Sequence, residues 1–386
     1  MADGAALYAT VEAYAALGDH RTGTAVDDAT RAWFTDELVR RGATVRSLPW
    51  TFERYDARAR LRAAATEVAA VPISYSGTGR VSTDAPHLVE LDGVGVHLGA
   101  LDTALDEAAA RGAEAVAVAT GGGTGRLVVP NRRPVLRDGP LAVVVAGASA
   151  ATIAAHGGTL TMDARVAPAS SATVEGRLGR GGGDPVVVTT PLSGWFRCAG
   201  ERGTGIAVAL EVAGALARDH PVLVVGTTGH ELEFEGLRRY LAHGTPRALA
   251  VVHCGAGLAA GDTDEGGDLV LAGLRLALTV TGERRGGRTG ERTGERRGEG
   301  RGERTGEALA GPLARAGFDL VSGWDTWPGE GELWRGLGVP VLSLVGGFER
   351  FHTDDDVPAA VTTPALLARV ASGVVDAARV LLRAAR

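Results

Sequence analysis

Four short apolar runs in this chain each stop at residues able to bind a cation or move a proton, and that shared grammar narrows the fold more than any other feature. Valines 186–188 lead to Glu201, residues 222–225 to His230 and Glu231, residues 249–252 to His253, and residues 341–344 to His352. Continuous apolar runs separated by amphipathic helices read as parallel strands buried on both faces. In an open α/β sheet, ligands bind outside the carboxyl ends of such strands. The four endings, spread over more than a third of the sequence, are therefore expected on one rim.

The spacing predicts helices over residues 4–17 and 27–42, the second presenting Ala29, Trp33, Phe34 and Leu38 and ending at Gly42. A β-like run over 44–52 follows. From residue 61 the texture changes to short strands at 87–91, 115–119, 141–146 and 159–166, with helices at 101–111 and 149–156. Beyond the loop at 179–184, strand and helix alternate regularly, with helices at 203–218, 231–243 and 364–385. The expected architecture is α/β, a mostly parallel sheet flanked by helices with an inserted, smaller β-rich domain. Residues 1–60 and 172–386 form the main domain, and 61–171 form the insertion. Residues 281–307 repeat variations of Thr-Gly-Glu-Arg without an apolar side chain beyond threonine methyls. Such a tract buries too little surface to offset its ordering entropy and reads as a disordered loop. The glycine-rich stretch 121–125 reads as a surface turn.

At 386 residues and 45% apolar content, two cores can be built. A net charge of -6 gives no electrostatic reason to expect a nucleic-acid partner. The first residues lack a basic segment followed by an apolar one, and no run approaches the ~20 apolar residues that span a bilayer, so a cytoplasmic protein is expected. Two cysteines, Cys198 and Cys254, make no disulfide framework. The absence of lysine removes Schiff-base chemistry and the Walker-type phosphate loop.

Glu201, Glu231 and His352 supply a two-carboxylate, one-histidine set, matching the three protein ligands of a catalytic zinc site. His253 is a fourth ligand or a contact to the bound water. His230, beside a ligand, is the candidate proton shuttle. Such an ion activates water for attack on an amide. Each residue also has a plain structural alternative. Glu231 could complement a helix dipole, Glu201 could pair with Arg202, and His352 and His253 could be a loop and a core histidine.

The order of these motifs resembles the M28 family of zinc aminopeptidases over nearly the full length. Gly18-Asp-His20-Arg21-Thr-Gly is similar to that family's opening, and residues 61–171 resemble its inserted protease-associated domain. Gly200-Glu201-Arg202-Gly203-Thr204-Gly205 stands where the family has Asp-Asn-x-Ser-Gly, His230-Glu231 where it has a Glu-Glu pair, and Phe351-His352-Thr353-Asp354 where it has Tyr-His-Thr. The resemblance implies a zinc hydrolase acting on a small peptide or amide. The family's His-x-Asp is replaced by residues 189–193, Thr-Thr-Pro-Leu-Ser, which implies one zinc ion per chain rather than two. Trp195 and Arg197, in the segment following, are candidates to receive substrate, with packing the alternative for Trp195. Three other readings compete with hydrolysis. They are acyl transfer as in the single-zinc glutaminyl cyclases, a thiol enzyme using Cys198 with His230, and a non-catalytic binding protein that retains the fold.

Overall fold

A computed structural model describes residues 2–91, 98–121, 125–280 and 295–385. In chain order these carry α1 (Gly4–Ala15), α2 (Ala25–Arg40), β1 (Thr44–Ala63), β2 (Thr66–Val68), β3 (Ala70–Pro72), β4 (Gly79–Thr83), β5 (His87–Glu90), α3 (Leu98–Ala110), β6 (Ala115–Thr120), β7 (Leu141–Ala146), α4 (Ala150–His156) and β8 (Thr159–Leu178). There follow β9 (Val186–Pro191), α5 (Thr204–Leu216), β10 (Val222–Thr227), α6 (Glu235–His243), β11 (Ala250–Cys254), β12 (Gly261–Thr263), β13 (Leu269–Leu271), β14 (Leu274–Val280), α7 (Glu295–Ala316), β15 (Asp319–Val321), α8 (Gly331–Arg335), β16 (Val341–Gly347), α9 (Pro358–Val361) and α10 (Pro364–Ala385).

The main sheet runs β15-β14-β16-β11-β9-β10-β8-β1-β2, with β4 beside β8. Its centre, β16-β11-β9-β10, is parallel, and antiparallel strands close both sides. The central strands, apolar at their starts and polar only toward their carboxyl ends, are buried along their length, as expected where helices cover both faces. Helices α1, α5 and α10 pack on one face around Val186, Val188, Val224 and Val252. Helix α6 and α8 cover the other through Leu237, Tyr240 and Trp334. Gly205 permits the close seat of α5, since a Cβ there would stand 2.4 Å from the Gly255 carbonyl oxygen.

Three expectations shift. The strands expected over 44–52 and 159–166 continue to Ala63 and Leu178 because they pair with each other along an antiparallel ladder from Thr44↔Arg177 to Arg62↔Thr159. Between these two strands in sequence lie the four strands of a second sheet, β3-β7-β6-β5. The helix expected from residue 231 starts at Glu235 instead, because the chain turns inward at Glu231 and passes Glu233 and Phe234 at positive φ. The tract expected to be disordered lies outside the described residues over 281–294, but from Glu295 it is helical. Glu and Arg are good helix formers, and the end of this helix is held by buried Leu309, Leu313 and Ala316 in the core shared with α10, so the helix extends outward from an anchored end. Residues 122–124 of the glycine-rich stretch also lie outside the described residues. No helix among the described residues is long and apolar enough to cross a membrane.

Candidate functional site

The carboxyl ends of β9, β10, β11 and β16 meet at one rim, and the loops leaving them carry Ser193 to Arg202, Thr228 to Glu231, His253 and Phe348 to His352. Glu201 sits on the wide helical turn Ala199–Gly203, which enters α5. Cys198, just before that turn, has φ 30, and His352 has φ 61, left-handed conformations that side chains adopt at a cost. The turn is held by Asp356, whose carboxylate accepts from the Gly200 and Glu201 backbone N–H groups at 2.6 and 3.1 Å. Burial pushes the Asp356 carboxyl up to about 8, against the pull of these hydrogen bonds.

Glu201 is fully buried. His352 brings its Nε2 to 3.1 Å from Glu201 Oε1, while its Nδ1 is 2.8 Å from the Val129 carbonyl oxygen. That carbonyl lies between β6 and β7, so a segment remote in sequence orients this imidazole. The Arg202 guanidinium also donates to Glu201 Oε1, and its Nε donates to the Ser193 carbonyl at 2.9 Å. Burial alone would raise the Glu201 carboxyl, but Arg202, His352 and His230 hold it down to about 2. Glu201 is therefore a carboxylate already matched by a neighbouring cation, the structural alternative its sequence context offers.

Glu231 is buried and committed elsewhere. Its Oε1 accepts from the Thr22 backbone N–H at 2.6 Å and its Oε2 from the Ser193 hydroxyl at 2.8 Å. Ser193 also accepts from the His230 backbone N–H at 3.1 Å, so one hydroxyl fixes both residues of the pair. His230 has Nδ1 3.2 Å from Glu330 Oε1, and Glu330 Oε2 accepts from Thr227 at 2.7 Å. Burial, then the positive charge of Arg202, keeps the His230 imidazole well below its usual pKa, and it is neutral near pH 7. His253 has its Nδ1 2.9 Å from the hydroxyl of Ser343, its register neighbour on β16. Burial lowers its pKa to about 4.

The thiols are not nucleophiles in this setting. Cys198 is buried with its sulfur 3.2 Å from the Tyr14 hydroxyl. Burial, with the nearby Glu201 charge adding to it, pushes its pKa well up. Burial likewise pushes Cys254 to about 12. A thiolate is the reactive form, and neither residue favours it.

Trp195 is buried in one cluster with Ile73, Leu101, Val116 and Val144 and donates its indole N–H to Asn131 at 2.9 Å, with Arg21 over its ring. Arg197 is exposed. Neither lines the cleft that opens on the rim, a cavity of about 760 Å³ bounded by His230, His253, Phe234, Trp324, Phe348 and Phe351. Its walls are mainly aromatic and aliphatic, with the two neutral imidazoles, Asn131, Asp262 and Glu349 as polar points.

The residues expected to bind zinc were tested against that ion through their own partners. Glu201 Oε2 and His253 Nε2 are buried without a hydrogen-bond partner, and both are donor atoms a metal could use. Against them stand the Arg202 guanidinium on Glu201 and the two hydrogen bonds that hold Glu231. Among the described residues, no group of three or more His, Cys, Asp or Glu side chains is placed to hold a metal ion. A dication next to a buried guanidinium meets direct charge repulsion. The site as built does not fit zinc.

Sequence reasoning saw Glu201, Glu231, His230, His253 and His352 as one constellation but missed Glu330 and Ser193, the partners that fix His230 and Glu231. Glu330 lies on a loop with no strand signal before it. Ser193 ends the stretch 189–193, where the resemblance looked for His-x-Asp.

The arrangement, a large sheet parallel at its centre and flanked by helices, is the fold of the zinc aminopeptidases. Specifically, the structure is similar to a zinc aminopeptidase from Bacillus subtilis, with a TM-score of 0.71 at 15% identity over 97% of this chain and 94% of that one. It is equally similar to a peptidase M28 precursor from Shewanella amazonensis, with a TM-score of 0.71, 15% identity and coverage of 97% and 92%. An aminopeptidase from an Aneurinibacillus strain matches with a TM-score of 0.64, 16% identity and coverage of 97% and 93%. No family model and no curated protein matches the sequence. The likeness expected from the motifs is thus met at the level of fold.

Proposed function

We propose that this chain is a binding protein on an aminopeptidase scaffold, holding a small peptide- or amide-like molecule in the rim cleft without a metal ion. The observation that carries this reading is the buried Arg202–Glu201 pair, which places a fixed positive charge among the residues a metal would need. The expected zinc hydrolase requires Glu201 and Glu231 to turn their oxygens to a common ion, and each is held by other donors. No step is assigned to a metal.

The chain's own groups supply recognition. The Phe234, Phe348 and Phe351 side chains offer an apolar wall for a hydrophobic side chain. The His253 Nε2, buried and without a partner, is satisfied when a ligand amide reaches it. His230, oriented by Glu330, presents a second neutral ring. Calorimetric titration of leucinamide and a hydrophobic dipeptide into the full chain tests the reading, with product formation followed by mass spectrometry. Saturable binding that ignores chelator, without product, is expected, and Phe351→Ala weakens it by about tenfold, or 1.4 kcal/mol. Hydrolysis abolished by chelator overturns it.

A further inference from the structure

A second cleft of about 760 Å³ lies between the α6-covered face of β1, β8 and β10 and the segment 244–247 that follows α6, and it shares no lining residue with the rim cleft. Its floor follows from register. Arg46 faces Glu175 and Leu48 faces Thr173 across β1 and β8, while Arg177 faces Leu223 of β10. Residues two apart on a strand share a face, so Thr173, Glu175 and Arg177 form one row. Tyr240, Arg239 and Arg247 close the cleft from the helix side.

The charge balance in this cleft is opposite to that of the whole chain. Four arginines line it, Arg46, Arg177, Arg239 and Arg247, against the carboxylates of Glu175 and Asp184, in a protein of net charge -6. Both carboxylates are engaged. Glu175, buried, accepts from Arg46 and from the Tyr240 hydroxyl, and Asp184 pairs with Arg247 at 3.1 Å. Arg239 lies over the Trp50 ring at 5.4 Å and pairs with Glu235 outside the cleft. Among the described residues, Arg177 is within ion-pair distance of no carboxylate.

Two further lining groups lack partners although buried. The Trp50 indole N–H and the Thr173 hydroxyl have no hydrogen bond, at residue exposures of 6% and 1%. A buried donor left unmade is costly, and native proteins rarely keep one without a reason. An indole N–H can only donate, and a hydroxyl and a guanidinium both can donate. Register makes Trp50 and Thr173 diagonal neighbours, while Arg177 stands four residues further along β8, roughly 13 Å from Thr173, so an anion with two charged groups is needed to reach them all.

We propose that this cleft is a binding site for a small anion bearing two or more phosphate or carboxylate groups, one received by Arg177 and another beside the Trp50 indole N–H and the Thr173 hydroxyl. Guanidinium forks match either oxyanion in two-point hydrogen bonds, and the Trp50 face and Pro49, Pro185 and Pro246 leave room for an apolar body on the same ligand. The proposal uses no part of the rim cleft.

Calorimetric titration of the full chain with inorganic pyrophosphate and, separately, with citrate tests it. One-to-one binding by at least one of the two is expected, weakening as salt is raised, and the anion that binds identifies the group. Arg177→Ala, an exposed position that the fold tolerates, lowers the affinity by about tenfold or more. Trp50→Phe, which keeps the packing and removes only the N–H donor, lowers it severalfold. Lack of saturable binding by either anion, or equal affinity in the Arg177→Ala protein, overturns the proposal.

Discussion

Replacing Arg202 with asparagine is expected to create a zinc site where the native chain has none. The Arg202 guanidinium touches Glu201 Oε1, so an ion bound to that carboxylate would stand roughly 5 Å from the positive charge. At an effective dielectric of about 20, a dication at that distance is repelled by roughly 6–7 kcal/mol. Solvent screening and side-chain adjustment reduce this, and an affinity gain of at least about a hundredfold, or 2.7 kcal/mol, is a conservative expectation. Asparagine is neutral and keeps a donor for the Ser193 carbonyl. Zinc binding to both proteins is measured by calorimetry and by elemental analysis after desalting, with circular dichroism confirming the fold. The Arg202→Asn/Glu201→Gln protein serves as control and loses what the single variant gained. If Arg202→Asn is folded and binds zinc no better than the native chain, the guanidinium is not what excludes the ion.

Other outcomes follow from the same geometry. Glu201→Ala leaves the buried Arg202 charge uncompensated and should cost about 3–5 kcal/mol of stability in denaturant titration, whereas Glu201→Ala with Arg202→Met recovers most of it. His20 is buried, stacked on Tyr14 at 3.8 Å, and burial lowers its pKa to about 3. Since the folded pKa lies below the unfolded value of about 6.5, its contribution is intact above that pH and is lost as pH falls toward 3. Between pH 7 and 5 the native chain should lose about 2 kcal/mol more than His20→Gln, read from denaturant curves at both pH values. Gly205→Ala puts a methyl 2.4 Å from the Gly255 oxygen and should destabilise by about 1–3 kcal/mol in thermal unfolding. Neither cysteine should react with a maleimide in the folded protein, as mass spectrometry would show, because both thiols are buried and held protonated.

The sheet's centre was legible because its strands are buried on both faces and read as unbroken apolar runs with ligand-type residues at their ends. Helix α10 was legible for the complementary reason, a long stripe with the helical period between Pro364 and Ala385. The lengths of β1 and β8 were not, since half-exposed antiparallel strands carry mixed side chains and owe their extent to each other. At the site, residue types predicted convergence but not partnership. Nothing in the spacing distinguishes a Glu201 that grips an ion from one that grips the next side chain along, because that depends on where the Ala199–Gly203 turn aims two adjacent residues. Trp195 looked available for substrate only because the sequence does not show that Ile73, Leu101, Val116 and Val144 gather around it.

Elemental analysis of the unaltered chain, incubated with excess zinc near pH 7 and then desalted, meets the central claim directly. Close to zero zinc per chain is predicted, with the Arg202–Glu201 pair intact. One ion per chain, displaced when Glu231 or His352 is replaced by alanine, would show instead that these side chains turn to a shared metal and that the protein is the hydrolase its motifs first implied.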